Sequence, residues 1–505
     1  MSEHLTPESA KLETPNVVAD DKLPRSVVIV LSILLFTAFV MILNETTLAV
    51  ALPAMMADYD ITAATAQWLL TGFMLTLAVV MPTTGWLLDR FSTRGVFIFA
   101  VIAFLIGTVT AALAPSFVIL LAARVAQAIG TAIVMPLLMT VAMTLIPFHR
   151  RGTIMGLISV VMAVGPALGP SLAGAILSFT SWHGIFWFMV PLIALAGIIG
   201  ATKLTNIGEQ RATPLDVLSV ILSAVAFGGL VYGLSSVSTI LDGGQAAQIA
   251  ITIFSTGILG LGLFVWRQLA LGKHDRALLD LRPLAVPNYT FSLAVLMVLF
   301  AALLGAMNTL PLYLQGSLLV TALIAGLVLL PGGLLEGVLS PLFGRLYDRF
   351  GPRPLIIPAM IIVTGAIFWL ATVDEYTDVW LVVTIHVIFS VGLAGLFSPL
   401  MTTALSSLPS DLFGHGSAIL NTLQQLAGAA GTAVMITIYS NISADAQAQG
   451  VADTTAVADG ANSAFLVTGF LSAVALILSL FIKKIPSEPT GLDVPQSPKT
   501  DMASE

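Results

Sequence analysis

The sequence GWLLDRFSTR at residues 85–94 returns in altered form as GRLYDRFGPR at residues 344–353. Both segments fit the pattern G-x-L-x-D-R-F-x-x-R, and the offset between them is 259 residues. A second match joins residues 124–147 to residues 386–409 at an offset of 262. Two matches at nearly the same offset indicate an internal repeat, which has to be recognised before a fold is assigned.

The composition around these repeats is that of a membrane protein. Of 505 residues, 57% are hydrophobic and only 9% are charged, whereas a soluble globular protein carries about 25% charged residues. This excludes a soluble multidomain enzyme, a disordered protein and a nucleic-acid binder. The chain has no cysteine, which excludes disulfides, zinc–thiolate sites and thiol nucleophiles.

Fourteen apolar runs are long enough to cross a bilayer as helices, since about 20 residues suffice. The runs are too long for barrel strands, and backbone groups in lipid must pair within the chain. The predicted fold class is therefore an all-α membrane bundle. The predicted spans are residues 26–48, 65–85, 96–114, 117–145, 153–179, 184–202, 216–236, 247–268, 288–314, 321–343, 354–373, 378–406, 415–440 and 463–482.

The positions of Lys and Arg predict the orientation of this bundle. With a cytoplasmic N-terminus, nineteen of the twenty basic residues fall in segments on the inner side, and the exception is Arg124 within span 4. The predicted outer loops, the longest near 49–64 and 441–462, contain no Lys or Arg. This one-sided distribution supports fourteen spans with both termini in the cytoplasm.

The repeated D-R-F segments follow spans 2 and 10, so equivalent spans differ by eight. The simplest account is two six-helix halves in parallel orientation with an inserted pair, spans 7 and 8, between them. Substrate sites in such proteins lie near the membrane midplane between the halves. The predicted domains are a disordered cytoplasmic tail (1–25), an N-terminal half (26–202), the inserted pair with its flanking loops (203–287), a C-terminal half (288–485) and a second disordered tail (486–505).

Four segments resemble motifs of a known family. They are LNETTLAVALP at 43–53, GWLLDRFSTRG at 85–95, RVAQAIG at 124–130 and GPALGP at 165–170. The chain resembles the major facilitator superfamily, and within it the 14-span drug:proton antiporters of the lincomycin-resistance type. The resemblance implies a major facilitator fold and a proton-coupled multidrug efflux transporter, working by alternating access in the bacterial cytoplasmic (inner) membrane. Antibiotic resistance is the expected phenotype.

The resemblance also implies a monomer that is not an enzyme and needs no cofactor beyond the proton motive force. Its expected partners are protons, the lipid bilayer and small-molecule substrates, which are lipophilic and cationic compounds, with no nucleic acid. An exporter of a native metabolite, amino acid or lipid on the same fold is the alternative. A membrane enzyme or receptor is disfavoured because long extramembrane segments are lacking, and a nucleotide-driven pump because no G-x-x-x-x-G-K-[ST] segment is present.

Four ionisable side chains lie well inside predicted spans: Glu45, Arg124, Glu336 and His386. Inserting such a group costs about 2.5–3.5 kcal/mol, so each is a functional candidate. Burial favours the neutral form of a carboxyl group and a bound cation favours the anion, so a cavity acid can exchange a proton for a cationic ligand. We predict proton coupling at these four residues, with Glu45 as the partner of Arg124 and His386 as a relay.

Each of the four residues also has a structural alternative. The two acids can form helix–helix hydrogen bonds, Arg124 can hold spans 1 and 4 together, and His386 can be a hydrogen-bonded core residue. We expect the segment 331–333 (Pro-Gly-Gly) to loosen span 10 just before Glu336. The predicted substrate-binding residues are Glu45, Asn44, Gln127, Glu336 and Asn308.

Residues of the two D-R-F loops and of GPALGP are the candidates for gating. Charges near helix ends are favoured by the helix dipoles and can hold the halves in one state, although they also serve as topology signals. Glycine permits close helix packing and proline bends a helix. The predicted gating residues are Asp89, Arg90, Arg94, Asp348, Arg349, Arg353, Gly165, Pro166, Gly169 and Pro170. Asp216 is predicted to cap span 7.

Overall fold

A computed structural model describes residues 23–206, 214–274 and 276–484. Within these residues the secondary structure is helical and no strand is present. Fourteen of the described helices are long and apolar enough to cross a membrane, so the predicted all-α fold class is confirmed. Apart from residues 23–25, the two predicted tails at 1–25 and 486–505 lie outside the described residues.

We number the fourteen long helices α1 to α14 along the chain. The first six are α1 (Arg25–Tyr59), α2 (Trp68–Arg90), α3 (Thr93–Ala112), α4 (Phe117–Leu145), α5 (Arg151–Leu177) and α6 (His183–Lys203). The inserted pair is α7 (Val217–Ser235) and α8 (Gly244–Gly272). The last six are α9 (Pro287–Gly316), α10 (Ala322–Phe350), α11 (Arg353–Leu370), α12 (Val379–Ser406), α13 (Phe413–Ala448) and α14 (Asp453–Ser479).

Three predicted helix ends are wrong by eight or more residues. Helix α1 continues to Tyr59 rather than 48, α13 continues to Ala448 rather than 440, and α14 begins at Asp453 rather than 463. At 1.5 Å per residue, the 35 residues of α1 span about 52 Å, well beyond a hydrocarbon layer of about 30 Å. Hydropathy marks where a helix meets lipid, whereas these alanine-rich ends remain helical beyond the apolar run.

Side-chain caps fix several helix starts. Asp216 accepts a hydrogen bond from the backbone N–H of Ser219 at 3.3 Å, which confirms the predicted cap of α7. Ser92 caps α3, Thr321 caps α10 and Asp378 caps α12 in the same way. Because the first N–H groups of a helix have no intrahelical acceptor, these side chains stabilise the turns at both ends of the bundle.

The packing of the halves follows the internal repeat. Helix α5 of the first half packs against α10 and α12 of the second, and α13 of the second half packs against α2 and α4 of the first. We call the α5–α10 contact the first seam and the α2–α13 contact the second seam. Glycines permit the close approach at the first seam, since a Cβ on Gly156 would lie 2.7 Å from the Ser340 carbonyl oxygen.

The inserted pair lies against the second seam. Helix α7 packs on both α2 and α13, and α8 packs on α7 through the facing glycines Gly229 and Gly257. Trp68 of α2 stacks on Tyr232 of α7 with ring centroids 5.9 Å apart. The first seam has no such added helix in the described part of the chain, so the two seams differ although the repeat relates them.

The halves are joined by hydrogen bonds at one end of the bundle. We call this end the basic face, because the Arg residues of the two D-R-F loops lie there. Within the described residues, every side-chain hydrogen bond between the six-helix halves lies in the part of the bundle nearest this face. One example is Ser398 of α12, which donates to the carbonyl oxygen of Gly152 at 3.1 Å. The structure is therefore closed at the basic face.

Candidate functional site

Arg124 is the centre of a buried polar network. Its side chain is fully buried on α4, and its Nη1 donates to Asn44 Oδ1 at 3.0 Å and to Gln127 Oε1 at 2.8 Å. Its Nε donates to the carbonyl oxygen of Leu69 at 3.4 Å, and the guanidinium lies 4.1 Å from the centre of the Phe73 ring. These contacts with α1, α2 and α4 compensate for the burial of the guanidinium charge.

Gln127 extends the network to a fourth helix, since its Nε2 donates to Thr108 Oγ1 of α3 at 3.0 Å. Glu45, the predicted partner of Arg124, is half-buried and accepts no hydrogen bond from it. Glu45 nevertheless follows directly after Asn44, which accepts a hydrogen bond from Arg124. The guanidinium is thus held by neutral acceptors, and the Glu45 carboxylate has no hydrogen-bond partner among the described residues.

The segment GPALGP lies directly against the Glu45 region of α1. A Cβ on Gly165 would meet the Ile42 side chain at 2.6 Å, and a Cβ on Gly169 would overlap the Thr46 side chain. The Thr46 hydroxyl also donates to the carbonyl oxygen of Gly165 at 3.4 Å. Helix α5 continues without interruption through Pro166 and Pro170, so the motif acts here as a contact surface.

Glu336 lies on α10, on the other side of α5. It is buried, and its carboxylate has no hydrogen-bond partner among the described residues. The neighbouring Gly333 and Gly337 face Ala167 and Val164 of α5, with Cβ positions 3.3 Å and 2.5 Å from those side chains. Helix α5 therefore separates the helices that carry the two candidate acids and contacts both of them.

The predicted loosening of span 10 is wrong. Helix α10 runs unbroken through Pro331, Gly332 and Gly333. The physical use of Gly332 is close packing, because a Cβ there would overlap the imidazole of His386 on α12. A neighbouring helix occupies the space that a side chain would fill, so the helix is supported where the sequence alone suggests weakness.

His386 occupies the place in the second half that Arg124 occupies in the first. Arg124 lies over Phe73, and His386 lies against Gly332, which is the repeat equivalent of Phe73 at the offset of 259. The imidazole is buried, and its Nδ1 has no hydrogen-bond partner among the residues that the structure describes. The second half thus keeps the position but replaces the hydrogen-bonded guanidinium by an unpaired ring nitrogen.

Asn308 is set apart from the Arg124 network. Its Nδ2 donates to Leu304 O at 2.7 Å and to Thr432 Oγ1 of α13 at 3.4 Å, and the side chain is exposed. The structure therefore brings Asn44, Gln127 and Arg124 together, with Glu45 beside them. Asn308 contacts none of these residues.

At the first seam, the carboxylate of Asp348 caps the start of α5 in the other half. Its Oδ1 accepts from the N–H of Gly152 at 2.7 Å, and its Oδ2 accepts from the N–H and the hydroxyl of Thr153 at 2.8 Å and 2.6 Å. A helix N-terminus carries partial positive charge and unpaired N–H groups, so it is a natural partner for a carboxylate. This contact closes the basic face at the first seam.

At the second seam, Asp89 of α2 meets the start of α13. Its Oδ2 lies 3.1 Å from Nε2 of His415. His415 is the equivalent of Thr153 at the offset of 262, and Asp89 is the equivalent of Asp348 at the offset of 259. The repeat therefore places a carboxylate on a helix start at both seams, but it uses backbone donors at one and an imidazole at the other.

The arginines predicted as gating residues do not join the halves by hydrogen bonds in this state. Arg90, Arg94 and Arg349 are exposed, and Arg349 lies over the ring of its neighbour Phe350. Arg353 donates through Nε to the carbonyl oxygen of Ile482 at 2.9 Å, within the C-terminal half. The aspartates of both loops do contact the other half.

The sequence analysis missed three polar residues of α13. His415 contacts Asp89 across the second seam, and Asn421 and Gln424 are buried further along the helix. Asn421 donates to Ser417 O and to Met139 Sδ of the other half. The matched segment ends at Pro409, and continuing the alignment by six residues pairs His415 with Thr153 at the same offset of 262. This alignment is the sequence signal that could have identified His415.

Comparison with known proteins settles the family. The sequence profile of the Major Facilitator Superfamily matches residues 34–432. The chain belongs to the major facilitator superfamily. It is therefore a multi-pass membrane transporter that acts on small-molecule substrates, and not an enzyme.

Two relatives of this superfamily carry drug-resistance names. The lincomycin resistance protein of Listeria monocytogenes is 40% identical over 455 residues, covering 89% of this chain and 95% of that protein. The lincomycin resistance protein of Bacillus subtilis is 37% identical over 458 residues, covering 90% and 95%. The relatives support a drug-efflux role for this chain within the superfamily.

A solved structure shows the same fold at low sequence identity. The crystal structure of the human organic anion transporter MFSD10 superposes with a TM-score of 0.62 and 14% identity, covering 90% of this chain and all of that one. This likeness concerns the fold alone. It confirms the predicted arrangement of a major facilitator bundle with two six-helix halves.

Proposed function

We propose that the chain is a proton-coupled exporter of lipophilic, cationic drugs in a bacterial cytoplasmic membrane. The observation that carries this proposal is the environment of Glu45. This carboxylate lies beside the Arg124 network, has no hydrogen-bond partner among the described residues, and belongs to a helix packed on the contact between the halves. The drug-resistance relatives support the substrate class.

The proposed coupling is an exchange at the acids. In an apolar cavity, either a proton or a bound drug cation can neutralise a carboxylate. When one of them is bound, the carboxylate binds the other more weakly. Glu45 and Glu336 flank α5, and each lacks a protein hydrogen-bond partner in the described part of the chain. A drug cation arriving from the cytoplasm displaces the proton, and protons entering from outside displace the drug.

Arg124 assists this exchange by stabilising the anionic form of Glu45. Its charge is always present, because guanidinium does not lose its proton in proteins. Held by Asn44 and Gln127 rather than by Glu45, it stabilises the anionic form of the acid without occupying it. We propose His386 as a secondary relay on the basis of its unpaired Nδ1, and Asn44, Gln127 and Asn308 as polar contacts for the substrate.

The driving force for this cycle is the proton motive force, with no other cofactor. Each elementary charge that crosses the membrane potential contributes about 2.3 kcal/mol per 100 mV. The closed basic face, held at Asp348 and Asp89, is the state in which drug leaves and protons enter. Opening of both seams then exposes the site to the opposite side.

We further propose that the basic face and both termini are cytoplasmic and that the transporter works as a monomer. The absence of cysteine makes the orientation directly measurable. Single-cysteine variants at Lys273, near the basic face, and at Tyr376, at the opposite end, are labelled in intact cells with a membrane-impermeant maleimide. Labelling of Tyr376→Cys alone is expected, and labelling of Lys273→Cys alone contradicts the orientation.

The function is tested in proteoliposomes with an imposed pH gradient. Wild-type protein is expected to transport lincomycin or tetraphenylphosphonium against its gradient, and the double variant Glu45→Gln, Glu336→Gln is expected to lose pH-driven transport. Glu375→Gln, outside the spans, is the matched control. Undiminished pH-driven transport in the double variant contradicts the proposal. Transport of amino acids, lipids or metabolites, but of neither drug, supports the alternative substrate class.

A further inference from the structure

We call the contact of Asp348 with Gly152 and Thr153 the first gate and the contact of Asp89 with His415 the second gate. The second gate includes a segment that follows the inserted pair. His415 is buried, and its Nδ1 accepts a hydrogen bond from the backbone N–H of Asp280 at 3.2 Å. Because a backbone N–H can only donate, Nδ1 of His415 has to be unprotonated in this arrangement. The ring proton of the neutral imidazole is therefore on Nε2, where it donates to Asp89.

The surroundings of His415 leave the ring little freedom. A Cβ on Gly85 of α2 would lie 2.5 Å from Nδ1, so this glycine permits the ring to lie flat against the helix that carries Asp89. Asp280 is itself fixed by Arg282, whose backbone N–H donates to Oδ1 at 2.9 Å and whose Nε donates to Oδ2 at 2.6 Å. Burial raises the pKa of Asp280, but the hydrogen bonds from Arg282 and the nearby positive charge together hold the pKa below its ordinary value.

The segment at residues 278–280 is held by one side chain of α8. Gln268 is buried, and its Oε1 accepts from the backbone N–H groups of Leu278 at 2.8 Å and Leu279 at 3.2 Å. Its Nε2 donates to Ser219 Oγ of α7 at 2.8 Å. Gln268 thus joins both inserted helices to the segment that reaches His415.

No segment of the inserted pair contacts the first gate in the described part of the chain. Asp348 there binds backbone N–H groups and the hydroxyl of Thr153 directly, without an intervening segment. The inserted helix α7 packs along the second seam, on α2 and α13. The two gates are therefore unequal: Asp348 binds the start of a helix directly, whereas Asp89 binds a side chain that is oriented from outside the repeat.

We propose that Gln268 is a positioning residue for gating, which holds residues 278–280 so that the Asp280 N–H fixes the tautomer and direction of His415 toward Asp89. By this route the inserted pair favours the state that is closed at the basic face. This role rests on the proposed alternation between two open states, but not on proton coupling or on the identity of the drug.

The experiment measures exposure of the seam without transport. Met139 is fully buried and contacts Asn421 across the halves near the basic face, so Met139→Cys is the reporter. In purified protein, the rate at which maleimide labels the Met139→Cys thiol reports opening of the basic face. Gln268→Met, which keeps the length of the side chain but removes the acceptor, is expected to raise this rate about tenfold.

Two comparisons separate positioning from general loosening. Arg267→Gln weakens the inserted pair but leaves Ser219 bound to Asp216 and keeps the acceptor for residues 278–280, so it is expected to leave the labelling rate within about twofold of the reference. In a His415→Ala background, which already lacks the gate contact, Gln268→Met is expected to have no further effect. In an Asp348→Asn background its full effect is expected to persist, because the other gate is independent.

Three results overturn the inference: an unchanged labelling rate in Gln268→Met, an equal rise in Arg267→Gln, or an undiminished effect of Gln268→Met in the His415→Ala background. If Gln268→Met does not fold, Ser219→Ala replaces it, because it frees the amide of Gln268 from α7 and is expected to raise the rate by a smaller factor. The labelling experiment needs neither a drug nor a pH gradient. Its result can therefore be interpreted even if the proposed efflux function is wrong.

Discussion

The carboxylate of Asp348 on α10 holds Thr153 at the start of α5 by hydrogen bonds to its N–H and its hydroxyl, at 2.8 Å and 2.6 Å. This contact crosses from one half of the transporter to the other and uses the helix dipole of α5. The internal repeat places Asp89 and His415 in the same relation at the second seam. These two contacts join the halves at the basic face.

Substitution Asp348→Asn is expected to open the basic face. The amide loses the negative charge and turns an N–H₂ group toward one backbone donor, which costs about 1–2 kcal/mol. Labelling at Met139→Cys should then rise about five- to thirtyfold. Arg349→Gln, an exposed neighbour on the same helix, is the control and should label at the reference rate. An equal rise in both variants would mean that surface charge, not the cap, closes the seam.

Arg124 is expected to be needed for folding stability as well as for transport. Arg124→Ala leaves the buried oxygens of Asn44 and Gln127 without their donor, and each unpaired group costs about 1–3 kcal/mol. Arg124→Lys keeps the charge but cannot reach all three acceptors. Its unfolding temperature should therefore lie between those of the wild type and Arg124→Ala. Thermal unfolding in detergent measures the order, and identical unfolding temperatures for the two variants contradict it.

The effect of replacing a glycine of α5 by alanine is expected to depend on the atoms that face that glycine. A Cβ on Gly169 overlaps the Thr46 side chain, whereas a Cβ on Gly174 meets nothing within 4 Å. Overpacking of this kind costs about 1–3 kcal/mol, and it presses α5 away from the helix of Glu45. Gly169→Ala should lower the unfolding temperature and the transport rate, and Gly174→Ala should change neither. Equal behaviour of the two variants would exclude α5–α1 packing as the cause.

The ion pair that joins the inserted helices is expected to be insensitive to pH in the ordinary range. Hydrogen bonds from Arg267, opposed by burial and assisted by Ser219, lower the pKa of Asp216 to about 2. A lowered pKa contributes stability that is present above the unfolded-state pKa of about 3.9 and is lost only as the pH falls through about 2. Asp216→Asn should therefore lower Tm by a similar amount at every pH from about 8 to about 5. A difference that shrinks over this range contradicts the assignment.

The sequence predicted the features of the fold and the site that depend on composition and on the internal repeat. Fourteen spans, the repeat and the inserted pair follow from hydropathy and from two offsets, and the buried Arg124 follows from the cost of an ionisable group in a span. The ends of α1, α13 and α14 could not be predicted in this way, because helices continue in water without an apolar run.

The contacts between distant segments were out of reach for a different reason. Nothing local to residues 278–280 indicates that their N–H groups bind Gln268 and His415, since those partners lie on two other helices. The unbroken course of α10 past Gly332 likewise depends on His386 of α12. Tertiary packing decides both points.

The exchange of a proton for a drug cation is the central claim, and proton release on drug binding tests it most directly. Purified transporter in weakly buffered detergent solution is mixed with a saturating lipophilic cation, and a pH indicator records the protons released. Wild type should release about one proton per drug bound near neutral pH. The variant Glu45→Gln, Glu336→Gln should bind without release, while Glu375→Gln behaves as wild type. Equal release from the double variant and wild type contradicts the account.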